Sequence, residues 1–400
     1  MKSTITAVSA AVGMLVSSVS YADTISMFDY EEATSAYEDA YLDAQFDLRS
    51  GNQDQTSYNA VMSANYDRVF SSANRNTRID FTGDGTISQG PNANDERKET
   101  YQALASLTND MYFAPTVNDF FWYGKAEVGA QTDMVDPFTK LTAGLGYGRV
   151  VNATPMAKAI RVVEALQERG LLRGNVSRET YQDVAQVIAK EPMYRSRYGS
   201  ADYAEYWVED IGKALGDNLG ARGAIKSYDV LVNERISTRK YGWLVRAGVG
   251  AVLTNYDGSD TKPALEVGAE YHYPINNQTQ FSNEAILTAI LDDGDNGFNA
   301  SNNMSLTYEL RDNIDWENAW LLTYAASDKT EYLMTNSVRS TFRYYVSNSI
   351  SLSLSAWGNR KLKIILITNP ADPSTNRNDD VDTTVNFGVT LSSEIVNQQL

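Results

Sequence analysis

Residues 144–170 read "GLGYGRVVNATPMAKAIRVVEALQERG". The first part alternates. Leu145 and Tyr147 stand against Gly144, Gly146 and Gly148, the period-two pattern of a strand with two unlike faces. The second part changes period, and Met156, Ile160, Val163 and Leu166 recur on one side of a helix. The switch falls at Thr154-Pro155, which predicts an N-cap followed by proline at the first helical position. Gly170 predicts a left-handed stop. A two-faced strand running straight into a helix predicts a sheet whose rim grows a helical insertion.

The same alternation recurs outward in both directions. "ISLSLSAW" sets Ile350, Leu352, Leu354 and Ala356 against three serines. "WLVRAGVGAVL" sets Trp243, Val245, Ala247, Val249 and Ala251 against Arg246, Gly248 and Gly250. About fourteen such segments are predicted, near 36–49, 57–71, 76–85, 98–111, 118–131, 137–150, 240–253, 264–273, 279–291, 299–311, 315–326, 333–346, 349–366 and 381–394. Short connections such as "RDNID" (311–315), "SNS" (347–349) and "PINNQ" (274–278) alternate with longer polar ones such as 292–297 and 358–380. That rhythm predicts a mainly β protein: a transmembrane antiparallel β-barrel of about 14 strands, with short turns in the periplasm and long loops outside. A soluble β-sandwich or β-solenoid also alternates and is the rival. Trp122, Tyr147, Tyr241, Trp243, Tyr273, Trp316, Phe342 and Tyr344 fall toward the proposed periplasmic ends, as an interfacial girdle does.

Composition agrees with an envelope location. Residues 1–22 read as a secretory signal: Lys2, an apolar run from about Ile5 to Val16, then Ser20-Tyr21-Ala22 before a cut at Asp23. There is no cysteine, so no disulfide, thiol nucleophile or thiolate metal site. A formal net charge of −17 argues against nucleic acid as a partner. No run of about 18 apolar residues follows the signal, so no transmembrane helix is expected. Mean hydropathy of −0.38 suits strands that hide one apolar face behind a polar one.

The expected organisation is a first barrel half (23–150), a periplasmic helical insertion (151–238) and a second barrel half (239–400). The insertion is read as about four amphipathic helices. The first runs from Thr154 to Arg169. The second starts at Ser177, with Tyr181, Val184, Val187 and Ile188 on one face, and stops before Pro192. The third starts at Ser200, with Tyr203, Trp207, Ile211 and Leu215 at helical spacing. The fourth runs from Ala224 to about Glu234, with Ile225, Tyr228 and Val232 inward.

Two fragments carry a resemblance. "YLDAQFDLRSGNQDQTSYNAVMSANY" (41–66) resembles the opening hairpin of small outer-membrane proteins of unknown function. "GYGRVVNATPMAKAIRVVEAL" (146–166), "YRSRYG" (194–199) and "ERISTRKYGW" (234–243) resemble a set of uncharacterised Gram-negative outer-membrane β-barrel proteins. The resemblance implies fold and location, and carries over no catalytic residue.

Chemistry is sparse. The single histidine, His272, shares an inward face with Glu266 and Glu270, where Glu270 or water at the rim would satisfy it. Acidic loops (Asp257, Ser259, Asp260; Asp292, Asp293, Asp295; Asp379, Asp380, Asp382) match no calcium-loop spacing. No catalytic, cofactor-binding or metal site is expected, and the chain is read as not an enzyme. Inward charges of both signs (Asp43, Asp47, Lys125, Glu127, Lys140, Arg246, Glu266, Glu309, Arg311, Arg339, Arg343) predict a wet or salt-bridged lumen. Gly144, Gly146, Gly148, Arg246, Gly248 and Gly250 form the candidate lumen wall. Its glycines either leave a smooth path for a solute or a folded-in segment, or ease strand curvature and packing. Two functions follow: a porin-like solute or polymer channel restricted by the helices, or a plugged structural or assembly barrel anchoring a periplasmic interaction domain. Expected partners are outer-membrane lipid and lipopolysaccharide, the barrel assembly machinery and a periplasmic partner of the insertion.

Overall fold

A computed structural model describes residues 25–31, 34–113, 119–216, 219–234, 236–292, 296–326, 331–347, 350–365 and 380–394. The expected signal (1–22), most of the loop expected over 358–380 and the last six residues lie outside it.

Six strands come first: β1 (Ser35–Arg49), β2 (Ser57–Ser71), β3 (Arg75–Gln89), β4 (Lys98–Tyr112), β5 (Phe120–Gln131) and β6 (Phe138–Asn152). Helices α1 (Thr154–Glu168), α2 (Arg178–Ala189), α3 (Glu191–Ala214) and α4 (Gly220–Tyr228) follow. The sheet then resumes with β7 (Lys240–Thr254), β8 (Lys262–Asn276), β9 (Thr279–Ile290), β10 (Gly297–Arg311), β11 (Ile314–Ala326) and β12 (Glu331–Ser347). These twelve make an antiparallel meander in which each strand pairs with its neighbour, β6 pairing β7 across the helices. β13 (Ile350–Ile365) and β14 (Asp380–Glu394) extend it by backbone pairing. The strand order returns to β1 over three residue pairs, Tyr41↔Glu394 to Asp43↔Ser392.

Curvature is visible independently of that seam. β3 and β9 are six strands apart, about 28 Å in a flat sheet. Yet Arg78 of β3 stands 3.7 Å from Glu284 of β9. The sheet therefore curls round an interior that these two side chains cross.

The outer face is apolar. Leu145 is 62% exposed, Val249 66% and Val267 52%, while the inward Glu266 of the same wall is 2% exposed. The expected aromatic belt is in place at the short-turn end, with Trp122, Tyr147, Trp243, Tyr273, Trp316, Phe342 and Tyr344 exposed. Ring pairs such as Tyr147–Trp243 and Trp316–Phe342 tie neighbouring strands together. Tyr241 departs from the belt. It lies against Phe28, and its hydroxyl donates to the Tyr30 carbonyl (2.7 Å), docking the N-terminal segment.

The helices share one core with that segment. Met156, Leu166, Val184, Trp207 and Ile211 are buried together with Met27 and Tyr30. Trp207 Nε1 donates to the Val187 carbonyl (3.0 Å), so the largest buried ring has no orphan donor.

Three local expectations change. Ala153, not Thr154, occupies the N-cap of α1. Thr154 is inside the first turn, and its hydroxyl accepts from the Arg239 amide (3.0 Å), joining the start of the insertion to its end. In α3 the helix expected from Ser200 is preceded by a further helical segment from Glu191, because Pro192 suits a first helical turn and has no amide proton to lose there. Gly199 (φ 77°, ψ 162°) breaks it in the middle, a conformation that favours glycine. Lastly, α4 starts at Gly220 and ends in a π turn, Asp229–Asn233, which rotates the later residues. The buried side of α4 is the one carrying Gly223, Ser227, Val230 and Leu231 at helical spacing, so Ile225 and Tyr228 are exposed.

Candidate lumen site

The glycine wall is placed by strand pairing. Gly144 stands opposite Gly248, Gly146 opposite Arg246, Gly148 opposite Leu244, and Thr142 opposite Gly250. The wall is not bare. On its other side β5 sets Phe121 opposite Gly146 and Tyr123 opposite Gly144. Both rings are fully buried. A Cβ on Gly144 would meet the Tyr123 ring at 2.7 Å, and one on Gly146 would overlap the Phe121 ring. A Cβ on Gly248 would collide with the Tyr123 hydroxyl. Of the two expected roles for these glycines, close packing is the one seen: aromatic rings lie against them, which lets the wall curve and stay packed. A Cβ on Gly250 would crowd Thr142 Oγ1 at 2.9 Å, so this glycine also serves close packing.

Beside the rings lies a layer of charge. Lys140 binds Glu127 and Glu266, both at 2.6 Å. Lys125 joins Glu127 (3.0 Å) and Glu266 (3.4 Å). Arg246 pairs with Glu270 and reaches Asp110 at 4.0 Å, with its guanidinium near the Tyr123 ring. Arg78 binds Asp80 (2.7 Å) and Asp67 (3.4 Å) and crosses to Glu284. A cavity of about 50 Å³ remains among these groups, touched by Arg78, Asp110, Arg246 and Glu270. Buried ions persist only when paired in this way, since removing one partner strands the other. Sequence reasoning missed Arg78, Asp80, Asp110 and Glu284. The signal was present in β3, where Ile79 and Phe81 alternate with Arg78 and Asp80, but glycines at 83 and 85 weaken the pattern.

The short-turn mouth has a second cluster. Glu309 of β10 is 1% exposed. It accepts from Arg161 of α1 (3.0 Å), from the Ser237 amide and hydroxyl (2.7 and 2.6 Å), and from Arg239 (2.7 Å). Arg161 also binds Asp312 in the β10–β11 turn (2.9 Å). Other expected inward charges divide. Arg343 pairs with Glu317 (3.1 Å), whereas Asp47 and Arg311 are exposed, and the Asp43 side chain lies outside the described residues. His272 bonds Ser282 Oγ through Nδ1 (2.9 Å) and turns Nε2 toward Glu270 (3.7 Å). Of the acidic loops, Asp292 is paired with Lys262 (3.0 Å) and Asp257 caps the Ser259 amide (2.9 Å). Asp293, Asp295 and Asp379 lie outside the described residues.

Residues 234–336 match the model of DUF481, described as a protein of unknown function. No curated protein matches the sequence. Similar solved structures are outer-membrane proteins. OmpT of Vibrio cholerae, in a loop L8 deletion form, is 8% identical, with 91% of this chain and 100% of that chain covered and a TM-score of 0.29. The Pseudomonas putida toluene transporter TodX is 9% identical, with 92% of each chain covered and a TM-score of 0.28. OmpF of Salmonella typhi, in complex with daunomycin, is 7% identical, with 91% and 98% covered and a TM-score of 0.30.

Proposed function

We propose that the chain is an integral outer-membrane β-barrel of fourteen strands, a porin-like channel for a solute or polymer. Helices within residues 151–238 lie on the periplasmic side and restrict its mouth. The apolar outer face, the aromatic belt and the short turns at the helix-bearing end support that orientation. Lipid and lipopolysaccharide surround the wall, and the barrel assembly machinery inserts it.

One observation carries the restriction. The insertion leaves β6 and returns to β7, yet Arg161 holds Glu309 and Asp312 at the far edge of β10. That is three strands, about 14 Å, further along the rim. α1 therefore lies across the opening instead of hanging from one hairpin. Replacing residues 153–236 with a short glycine-serine linker should leave a heat-modifiable barrel and raise its single-channel conductance, or admit larger solutes.

The second reading, a plugged anchor for a periplasmic interaction domain, has its own support in the Arg78–Glu284 contact, which reaches across the interior from β3 to β9. A correctly folded deletion with unchanged conductance favours that reading and removes the channel.

A further inference from the structure

His272 and Glu270 lie on the inner face of β8, and Glu284 faces them from β9. The register sets Glu270 directly opposite Glu284, and His272 opposite Ser282. Like charges directly opposed on neighbouring strands repel. Each carboxylate divides its oxygens in the same way. Glu270 gives Oε1 to Arg246 and turns Oε2 toward His272 Nε2, at 3.7 Å. Glu284 gives Oε2 to Arg78 and turns Oε1 toward the same nitrogen, at 3.8 Å. The imidazole is fixed through its other nitrogen by Ser282 Oγ. With Nδ1 held by Ser282, Nε2 is the ring nitrogen left to meet a ligand. His272 is 2% exposed, and Nε2 has no hydrogen-bond partner. At these distances neither carboxylate supplies one. A buried Nε2 without a hydrogen bond thus faces one oxygen of each carboxylate.

We propose that Glu270, His272 and Glu284 bind a divalent transition-metal ion of the zinc type inside the barrel, with Ser282 positioning the imidazole. The donor atoms all lie within 4.8 Å of one another. Around a tetrahedral zinc with bonds of about 2.0–2.1 Å, neighbouring donors stand about 3.4 Å apart. The side chains close that gap by small rotations. One imidazole nitrogen with two carboxylate oxygens suits zinc, whereas calcium takes six to eight oxygens. Charge also favours a cation. Asp67, Asp80, Asp110, Glu270 and Glu284 outnumber Arg78 and Arg246 in this cluster. Neither arginine needs to leave, because each holds the oxygen turned away from His272. Glu284 has 35% of its side chain exposed, which opens the site to lumen water as entry route and fourth ligand. No metal is expected from the sequence alone, because Glu284 is not among the inward charges read there.

The test is a zinc titration of the full-length refolded protein in detergent, after chelator treatment, by competition with a chromophoric chelator. The wild type should bind one zinc per chain. Glu284→Gln and His272→Gln should each lose that binding while keeping the heat-modifiable migration of a folded barrel. Glu317→Gln, on a different wall, should retain it. X-ray absorption at the zinc edge should show a single imidazole nitrogen among oxygen neighbours. Zinc bound equally by all variants would place it on exposed acidic loops and overturn the assignment. Absence of stoichiometric binding to the folded wild type would overturn it too, leaving His272 as part of the ion-pair network alone.

Discussion

Gly146 has meaning only with Phe121. The two are cross-strand partners, and the ring occupies the space a side chain at 146 would need. Both the face and the glycine could be read from the alternation of residues 144–148. The ring could not, because Phe121 belongs to a strand whose pairing with β6 no local pattern specifies. For the same reason the sequence left an open wall and a packed one as alternatives, and the fold packs it. Gly146→Ala should destabilise the protein by about 1–3 kcal/mol through overpacking. In a Phe121→Leu background, where the flat ring is gone, the same change should cost clearly less. A double-mutant cycle from urea unfolding in lipid vesicles measures this. Strict additivity of the two changes would show that ring and glycine do not share one space.

The helices show which signals survive at the scale of an element. Ser177 accepts from the Thr180 amide as an N-cap, and Gly170 (φ 65°) ends the first helix, both legible from residue type alone. The buried stripes Met156–Leu166 and Tyr203–Leu215 were legible because a 3.6 period persisted over several turns. What failed was shorter. α4 is only nine residues long, too short for its pattern to choose a face, and it buries Gly223 and Ser227 while Ile225 points out. In α3 the break at Gly199 is bridged by side chains: Tyr203 donates to Glu191 (3.2 Å) and accepts from Arg195 (2.7 Å). Burial, with the nearby Glu191 carboxylate, pushes the Tyr203 hydroxyl up to about 12, so it stays neutral and donating. Further along, the Tyr194 hydroxyl donates to Asp210 (2.6 Å) and, with Lys213, holds that carboxyl below its ordinary value of 3.8. A depressed carboxylate adds stability that is complete above its ordinary value and is lost as pH falls through the folded one. Tyr194→Phe should cost about 0.5–1.5 kcal/mol near neutral pH. It should also shrink the drop in helix melting temperature between pH 6 and pH 3, followed at 222 nm on the whole protein. An equal drop in variant and wild type would remove Tyr194 as the cause.

At the scale of the whole molecule, sidedness and closure are separate questions. The helices, the belt and the tight turns share one end, which the proposed sidedness puts in the periplasm. The chain has no cysteine, so single additions report cleanly. Cysteine at exposed Glu205 should resist an impermeant maleimide in intact cells, and cysteine at exposed Asp260, in the β7–β8 loop, should label. The reverse pattern would invert the topology. Closure rests on less. The sequence predicts about fourteen strands but cannot say which edges meet, since the contact between first and last strand is the most distant in the chain. β1 pairs with β2 along its whole length, from Ser35↔Ser71 to Arg49↔Ser57, yet meets β14 only from Tyr41 to Asp43. An open edge in lipid would leave backbone donors and acceptors unpaired, each at a cost of several kcal/mol. A short seam therefore has to hold, and it should be the first part of the wall to separate. Directly opposed residues in an antiparallel pair have Cβ atoms about 4.5–5.5 Å apart, close enough for a disulfide with slight adjustment. Leu42→Cys with Ser393→Cys should oxidise to one intramolecular disulfide in the folded protein and raise its resistance to urea. Shifting one partner to Val389→Cys should abolish cross-linking, because that residue pairs with Leu354 of β13 and lies four positions from Ser393. Efficient cross-linking at 393 and none at 389 fixes the ring at fourteen strands. Failure at 393 in a folded protein would mean that β14 does not close it.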